Sequence, residues 1–408
     1  MSFVQRGRIC RLLSFLALGL LLAPSVQAEP LLIGDGGTPA FYAWNGELAG
    51  GPGTLLRQEP GPQDLANAGR SARLLYVSTD GIDRTAKVSV SGVLYLPKGE
   101  APEGGWPLIA WAHGTVGVAD ICAPSFAGRS SRDVSYLNFW LAQGYAVVAT
   151  DYQGLGVAGP HPYLATRPEA YSVLDSVRAV QKGGFGLSKK VVVIGQSQGG
   201  AAAFATAAYA PAYAPELDIR GTVATGTPYF APEARAVLRT TRPRDVVDPT
   251  LGYVFLLMSL VEQIDADFSV RDYVTDAALP IVIATTKSCY RDIVRQILDA
   301  KLTSSMAYKK DPEPVMAKAF ELMSYPTLAI KGPVFLGTGG KDHDVPPQMQ
   351  LKLGDDACAK GATIEQHLYP ELDHSGTVNG STTDSVVFVR KAFAGEKITS
   401  NCEARPKL

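Results

Sequence analysis

Three short apolar runs, each closed by a polar loop, predict an α/β fold: a mainly parallel sheet flanked by helices and interrupted by an inserted helical cap. The runs are Leu108–Ala112, ending in His113-Gly114; Tyr145–Thr150, ending in Asp151; and Val191–Ile194, ending in Gly195. Continuous apolar strands of this kind suit a sheet covered on both faces. Helical periodicity separates them, as in Pro168–Gln181, where Val173, Leu174, Val177 and Val180 share one face. Strand and helix in alternation imply parallel order.

Upstream, residues 29–70 are rich in Gly and Pro and read as an extended arm. Arg73–Val77 and Lys87–Leu96 read as strands. In the second, Val88 and Val90 alternate in one phase and Val93 and Tyr95 in the other, so a bulge is expected at Ser91-Gly92. After the strand Gly221–Gly226 the alternation stops. Residues 229–326 carry helical pattern at 252–264, 292–301 and 314–323, and are read as the cap. Its stretch Leu251–Ile264 is strongly apolar, yet too short and interrupted to span a bilayer. Two readings stay open for it, an acyl-chain site and plain cap core. Strand pattern resumes at Pro333–Gly337 and Thr363–Leu368, before a last helix at 384–393. The catalytic domain is therefore assigned to residues 29–228 and 327–408.

The chain has 408 residues, 46% of them apolar and 19% charged, with a net charge of −1. This supports a large core and excludes disorder. With no basic surplus to neutralise phosphates, nucleic acid is excluded as a partner. Arg6, Arg8 and Arg11, the apolar run Leu12–Leu22, and Val26-Gln27-Ala28 read as a signal peptide over residues 1–28, implying a secreted or periplasmic protein. Removal of that segment takes Cys10 with it. Cys122, Cys289, Cys358 and Cys402 remain, an even number that in an exported chain favours two disulfides. They are too scattered for a zinc cluster, and neither metal nor cofactor is expected.

The sharpest motif is Gly195-Gln196-Ser197-Gln198-Gly199-Gly200. Gly-x-Ser-x-Gly after an apolar strand and before a helix is the nucleophile elbow of the α/β-hydrolase fold. The serine sits at a sharp turn in a strained conformation, lifted above the sheet edge. Four β-branched residues precede the elbow here, and Ala201-Ala202-Ala203-Phe204-Ala205 follow it.

A serine hydroxyl needs an adjacent base. In this fold the order along the chain is Ser, then acid, then His. Of five histidines, His113 and His161 precede the serine. His343 adjoins the acid loop, and His367 lies within a strand. His374, in Glu371-Leu372-Asp373-His374-Ser375-Gly376, remains as the base. Its acid is expected in Lys341-Asp342-His343-Asp344-Val345-Pro346. Asp342 is favoured because in this fold the acid precedes the Val-Pro step by a few residues, with Asp344 as the alternative. Acyl transfer also needs donors aimed at the developing oxyanion. Those expected are the backbone N–H groups of Gln198 and of Thr115, in the His113-Gly114-Thr115-Val116-Gly117 loop. His113 is read as structural.

Trp111-Ala112-His113-Gly114-Thr115, Cys122-Ala123-Pro124-Ser125, Asp151-Tyr152-Gln153-Gly154-Leu155-Gly156 and His161-Pro162-Tyr163 resemble the secretory lipase (fungal lipase A-like) family and its bacterial branch, from about Leu74 to the C-terminus. The resemblance implies secretion, an α/β-hydrolase core with a helical cap, and lipase or esterase activity on small-molecule or lipid esters, including those at a lipid–water interface. It also implies the triad Ser197, Asp342, His374 and the pairs Cys122–Cys289 and Cys358–Cys402, the second pinning the tail near the His374 loop. An acyltransferase, a peptidase or a polyester hydrolase would use the same triad. A non-enzymatic binding protein on this scaffold would lack a triad member, and the sequence supplies all three.

Overall fold

The computed structural model describes residues 1–2 and 32–408. The expected signal peptide, past its first two residues, lies outside the described residues. Nine strands form one sheet: β1 (Leu55–Pro60), β2 (Ala68–Thr79), β3 (Lys87–Pro97), β4 (Trp106–Ala112), β5 (Ala146–Thr150), β6 (Leu187–Gln196), β7 (Asp218–Thr225), β8 (Val334–Gly339) and β9 (Ile364–Tyr369). Their spatial order is β1-β2-β3-β5-β4-β6-β7-β8-β9. The pairings from β5 through β9 are parallel, and β1, β2 and β3 add antiparallel ladders at one edge. This is the α/β-hydrolase arrangement that the apolar runs predict.

Strand alternation divides the core between two faces. Ile109, Trp111, Val192 and Ile194 point to one side, against Tyr136, Leu137 and Trp140 of the helix Ser131–Ala142 and Phe388 and Val389 of the helix Thr382–Ala394. Leu108, Ala110, Val191 and Val193 point to the other, against Val173, Val177 and Val180 of the helix Thr166–Lys182 and Ala202 and Ala203 of the helix Gln198–Tyr213. Both faces are covered, which is why these strands are apolar throughout.

Seven helices between Pro232 and Leu322 connect β7 to β8 among the described residues. They enclose a core of their own, with Phe255, Leu256, Leu260, Val261, Ile293 and Ile297 fully buried. The apolar helix Leu251–Ile264 supplies much of it. Its Val254 and Leu257 instead line a cavity beside Ser197, so the two readings of this stretch apply to different faces of one helix. No described helix is long and apolar enough to cross a membrane.

Three expectations need correction. Part of the expected arm belongs to the sheet: Leu55–Pro60 is an edge strand, and β2 begins at Ala68 rather than Arg73. Its weak alternation reflects a half-exposed edge. The bulge at Ser91-Gly92 is absent, and β2–β3 register runs unbroken from Arg70↔Leu96 to Thr79↔Lys87. Residues Val90–Pro97 are buried on both faces, so a phase change needs no slip. Gly92 answers to packing, since a Cβ there would lie 2.6 Å from the Ala149 carbonyl oxygen.

The disulfides join Cys122 to Cys289 and Cys358 to Cys402. The first ties the segment after β4 to the insertion. The second ties the tail to the helix Pro347–Ala359, and Asn401 bonds backbone groups of Ile364 and Gln366. The tail thus runs beside the beginning of β9, not at the His374 loop beyond its end.

Candidate active site

The elbow forms where β6 meets the helix Gln198–Tyr213. Ser197 stands at φ 59°, ψ −122°, a left-handed conformation costly for a side-chain-bearing residue, on the order of 1–3 kcal/mol. Its N–H donates to the Thr225 carbonyl at 2.9 Å, anchoring the turn to β7. Two glycines are required sterically. A Cβ on Gly195 would lie 1.9 Å from the Gly199 oxygen, and one on Gly199 would lie 1.9 Å from the Ala112 oxygen. The strand, the turn and the loop after β4 therefore touch backbone to backbone, which brings Thr115 and Ser197 to the same cavity.

The expected acid and base arrive on the next two strands. Asp342 follows β8 and His374 follows β9, with the helix Pro347–Ala359 between. His374 Nδ1 donates to Asp342 Oδ2 at 2.7 Å, both residues being buried. The Asp342 carboxylate also accepts from the backbone N–H groups of Asp344 (3.0 Å) and Val345 (2.8 Å) and from Gln350 Nε2 (2.8 Å). These bonds fix its orientation, and it fixes the imidazole with Nε2 carrying the lone pair, the tautomer a general base needs. Asp344 turns elsewhere: its Oδ1 accepts from the Tyr253 hydroxyl at 2.6 Å. Of the two candidate carboxylates, Asp342 is the one that hydrogen-bonds the imidazole, while Asp344 lies within 4.8 Å of it.

His374 Nε2 and Ser197 face the same cavity, but the described hydrogen bonds do not join them. Nε2 instead accepts from Gln196 Nε2 at 2.9 Å. The amide oxygen of Gln196 is buried without a partner. Gly226 makes room for this pair, since a Cβ there would lie 2.9 Å from His374 Cε1. Were His374 to take a proton from Ser197, the Gln196 amide would have to yield the imidazole lone pair to Oγ. Sequence reasoning misses Gln196 and Gln350. Gln196 is one of the motif's two variable residues, and its position as the last residue of β6, at the sheet's carboxyl edge, is the available signal.

Of the expected oxyanion donors, Gln198 is the first residue of its helix, where N–H groups lack intrahelical partners. The Thr115 hydroxyl pairs with the Tyr163 hydroxyl at 2.7 Å. Beneath the turn, Gln198 Nε2 donates to Glu169 Oε1 (2.7 Å) and to His161 Nε2 (3.0 Å). Burial pushes the Glu169 carboxyl up to about 8 and the His161 imidazole down to about 3. At neutral pH both are uncharged props behind the elbow. His113, lowered by burial, donates from Nδ1 to the Gly114 carbonyl at 2.7 Å and holds its loop. His343 is exposed, while His367 bonds Glu365 and stacks on Phe335.

Two cavities meet at Ser197. One, of about 460 Å³, contains His374 and polar side chains. The other, of about 140 Å³, is lined mostly by apolar residues, contributed by both the insertion and the sheet-bearing part of the chain. A carbonyl carbon over Ser197 would have a base on one side and the helix N-terminus on the other.

Fold and site together define an α/β-hydrolase. The family model for the secretory lipases matches residues 130–401, and the chain belongs to that family. The secreted triacylglycerol lipase LIP2 of Malassezia furfur is 24% identical over 95% of this chain and 83% of its own length. The closed-state crystal structure of Candida antarctica lipase A superposes with a TM-score of 0.72 at 22% identity, covering 95% of this chain and 90% of that one. The rice cell wall degrading esterase LipA of Xanthomonas oryzae gives 0.64 at 22%, covering 85% and 100%. The protein is a carboxylic ester hydrolase of the lipase and esterase class.

Asp342→Asn is expected to lower kcat by about 10⁴-fold, as when a triad acid loses its charge with geometry kept. Asp344→Asn should stay within about tenfold of the parent, the scale of one hydrogen bond. Steady-state rates on a nitrophenyl ester check both, and the reverse ranking would reassign the acid. Glu169 gives a pH test. Its pKa is raised on folding, so its stabilising contribution is complete below the ordinary value of 4.5 and is lost as pH rises through about 8. Glu169→Gln cannot ionise. Its Tm relative to the parent should therefore rise by ~2 °C or more between pH 5 and pH 9, and a constant difference would contradict the buried neutral acid.

Proposed function

We propose that Ser197, His374 and Asp342 hydrolyse carboxylic esters through an acyl-enzyme. The observation carrying this is the 2.7 Å bond from His374 Nδ1 to Asp342 Oδ2, beside a serine in the strained elbow conformation and on the same cavity. Ser197 Oγ attacks the carbonyl carbon as His374 Nε2, released from Gln196, takes the hydroxyl proton. The oxyanion is held by the backbone N–H groups of Gln198 and Thr115. Collapse breaks the bond to the alcohol, which leaves with the proton from His374. Water then attacks the acyl carbon and gives its proton to His374. The acid departs as Ser197 regains its hydrogen.

The same reading makes residues 229–326 a cap over the acyl side, supported by the insertion residues that line the apolar cavity. It makes residues 1–28 a cleaved signal peptide and the mature enzyme secreted or periplasmic, supported by the Arg-rich and apolar pattern there. Lipid esters are the substrate class its triacylglycerol lipase relative suggests, with a lipid–water interface as one place of action. Assignment to the bacterial branch rests on the Trp111–Thr115, Cys122–Ser125, Asp151–Gly156 and His161–Tyr163 strings alone.

Ser197→Ala should lose turnover on the order of 10⁶-fold on a nitrophenyl butanoate. A purified, folded variant retaining the parent rate would refute the assignment.

A further inference from the structure

The two cavities at Ser197 differ in size, chemistry and catalytic neighbours. Ser197, Thr115, Tyr253 and Asp344 border both. His374 borders only the larger, and Gln198 only the smaller. The Tyr253 hydroxyl bonds Asp344 at 2.6 Å and its ring stacks on Tyr290, so this pair forms the wall between them.

Resting on the triad reading, proton delivery decides which part of an ester enters which cavity. The leaving oxygen must receive its proton from His374 Nε2, so the alcohol has to lie on the His374 side. The acyl chain, bonded to the opposite side of the carbonyl carbon, then enters the smaller cavity. Phe230, Leu257, Met316, Phe320, Met323 and Met349 line that one. At about 140 Å³ against about 460 Å³, acyl space is the scarce dimension and alcohol space the generous one.

The alcohol side is the more polar of the two cavities, with apolar groups such as Val116, Ala127 and Val294 sharing its wall. Ser130, Ser131, Arg132, Asp133, Arg291 and Ser375 are among its lining residues. Arg132 and Asp133 are paired at 2.8 Å, so donors and acceptors are both present and much of the charge is cancelled. Such a surface matches a neutral, hydroxyl-rich group better than an anion or a hydrocarbon. We propose that the Ser130–Asp133 side of the larger cavity is a subsite for a bulky polyhydroxylated alcohol, and that the preferred substrates are its esters with short acyl chains.

Three esters test this on the purified full chain: ethyl butanoate, ethyl hexadecanoate and the mono-butanoyl ester of sucrose. The parent should show kcat/KM at least about tenfold higher on the sugar ester than on ethyl butanoate, the scale of one or two hydrogen bonds, and should disfavour hexadecanoate. Ser131 is exposed at the start of its helix. Ser131→Trp should collapse the sugar-to-ethyl ratio toward one while leaving the butanoate-to-hexadecanoate ratio in place. Leu257→Ala, on the acyl side, should shift chain-length preference and leave the alcohol ratio. A parent ratio at or below one, or a chain-length shift in Ser131→Trp, overturns the subsite while ester turnover leaves the triad standing. Failure to hydrolyse all three esters counts against both readings.

Discussion

The turn at Ser197 carries the rest of the site, because its shape leaves no slack. A left-handed serine at the end of β6 lifts the side chain off the sheet, and the backbone contacts at Gly195 and Gly199 press the turn against the end of β4. Once these segments touch, the loop carrying Thr115, the first N–H groups of the helix Gln198–Tyr213 and the Ser197 hydroxyl cannot be placed independently. The strain is offset by the surroundings: a bond to Thr225, two fully covered strands and a buried network of Glu169, His161 and Gln198 beneath. A side chain at Gly195 would open the turn itself, and one at Gly199 would push the turn off β4.

Around this rigid centre the insertion supplies variety. The sheet brings Asp342 and His374 to the same edge through the order β7-β8-β9. The helices between β7 and β8 contribute the apolar wall and Tyr253, while the Cys122–Cys289 bond fastens them to the segment after β4. The candidate triad comes from the sheet-bearing part of the chain, whereas both parts line the substrate space, and a disulfide links them in addition to the backbone. Gln196 adds a feature that the motif does not disclose. It belongs to the elbow, yet its amide holds the imidazole proposed to serve the next residue.

Much of this was legible in the sequence because strong local patterns and global packing agree. The runs at Leu108, Tyr145 and Val191 became central strands since covered strands must be apolar on both faces. The elbow was legible because steric constraint writes glycines at fixed offsets. Elimination leaves His374 as the candidate base and two carboxylates as its candidate acid. What remained hidden depended on side chains meeting across the fold. No pattern assigns Asp344 to Tyr253 rather than to His374, and none ties Gln350 to Asp342. Edge strand β1 escaped because a half-exposed strand pairs through its backbone and needs little side-chain alternation. The tail's path along β9 is set by Asn401 bonds and a disulfide, which sequence spacing cannot orient.

The central claim is that Ser197, His374 and Asp342 act as one proton-transfer unit once the Gln196 amide lets go. A crystal structure of the enzyme inactivated with a fluorophosphonate tests it most directly. The account predicts phosphorus bonded to Ser197 Oγ, His374 Nδ1 still on Asp342, and Nε2 moved from Gln196 to hydrogen-bond the adduct. Phosphorus on another residue, or an imidazole still bound to Gln196 with no bond to the adduct, would contradict it.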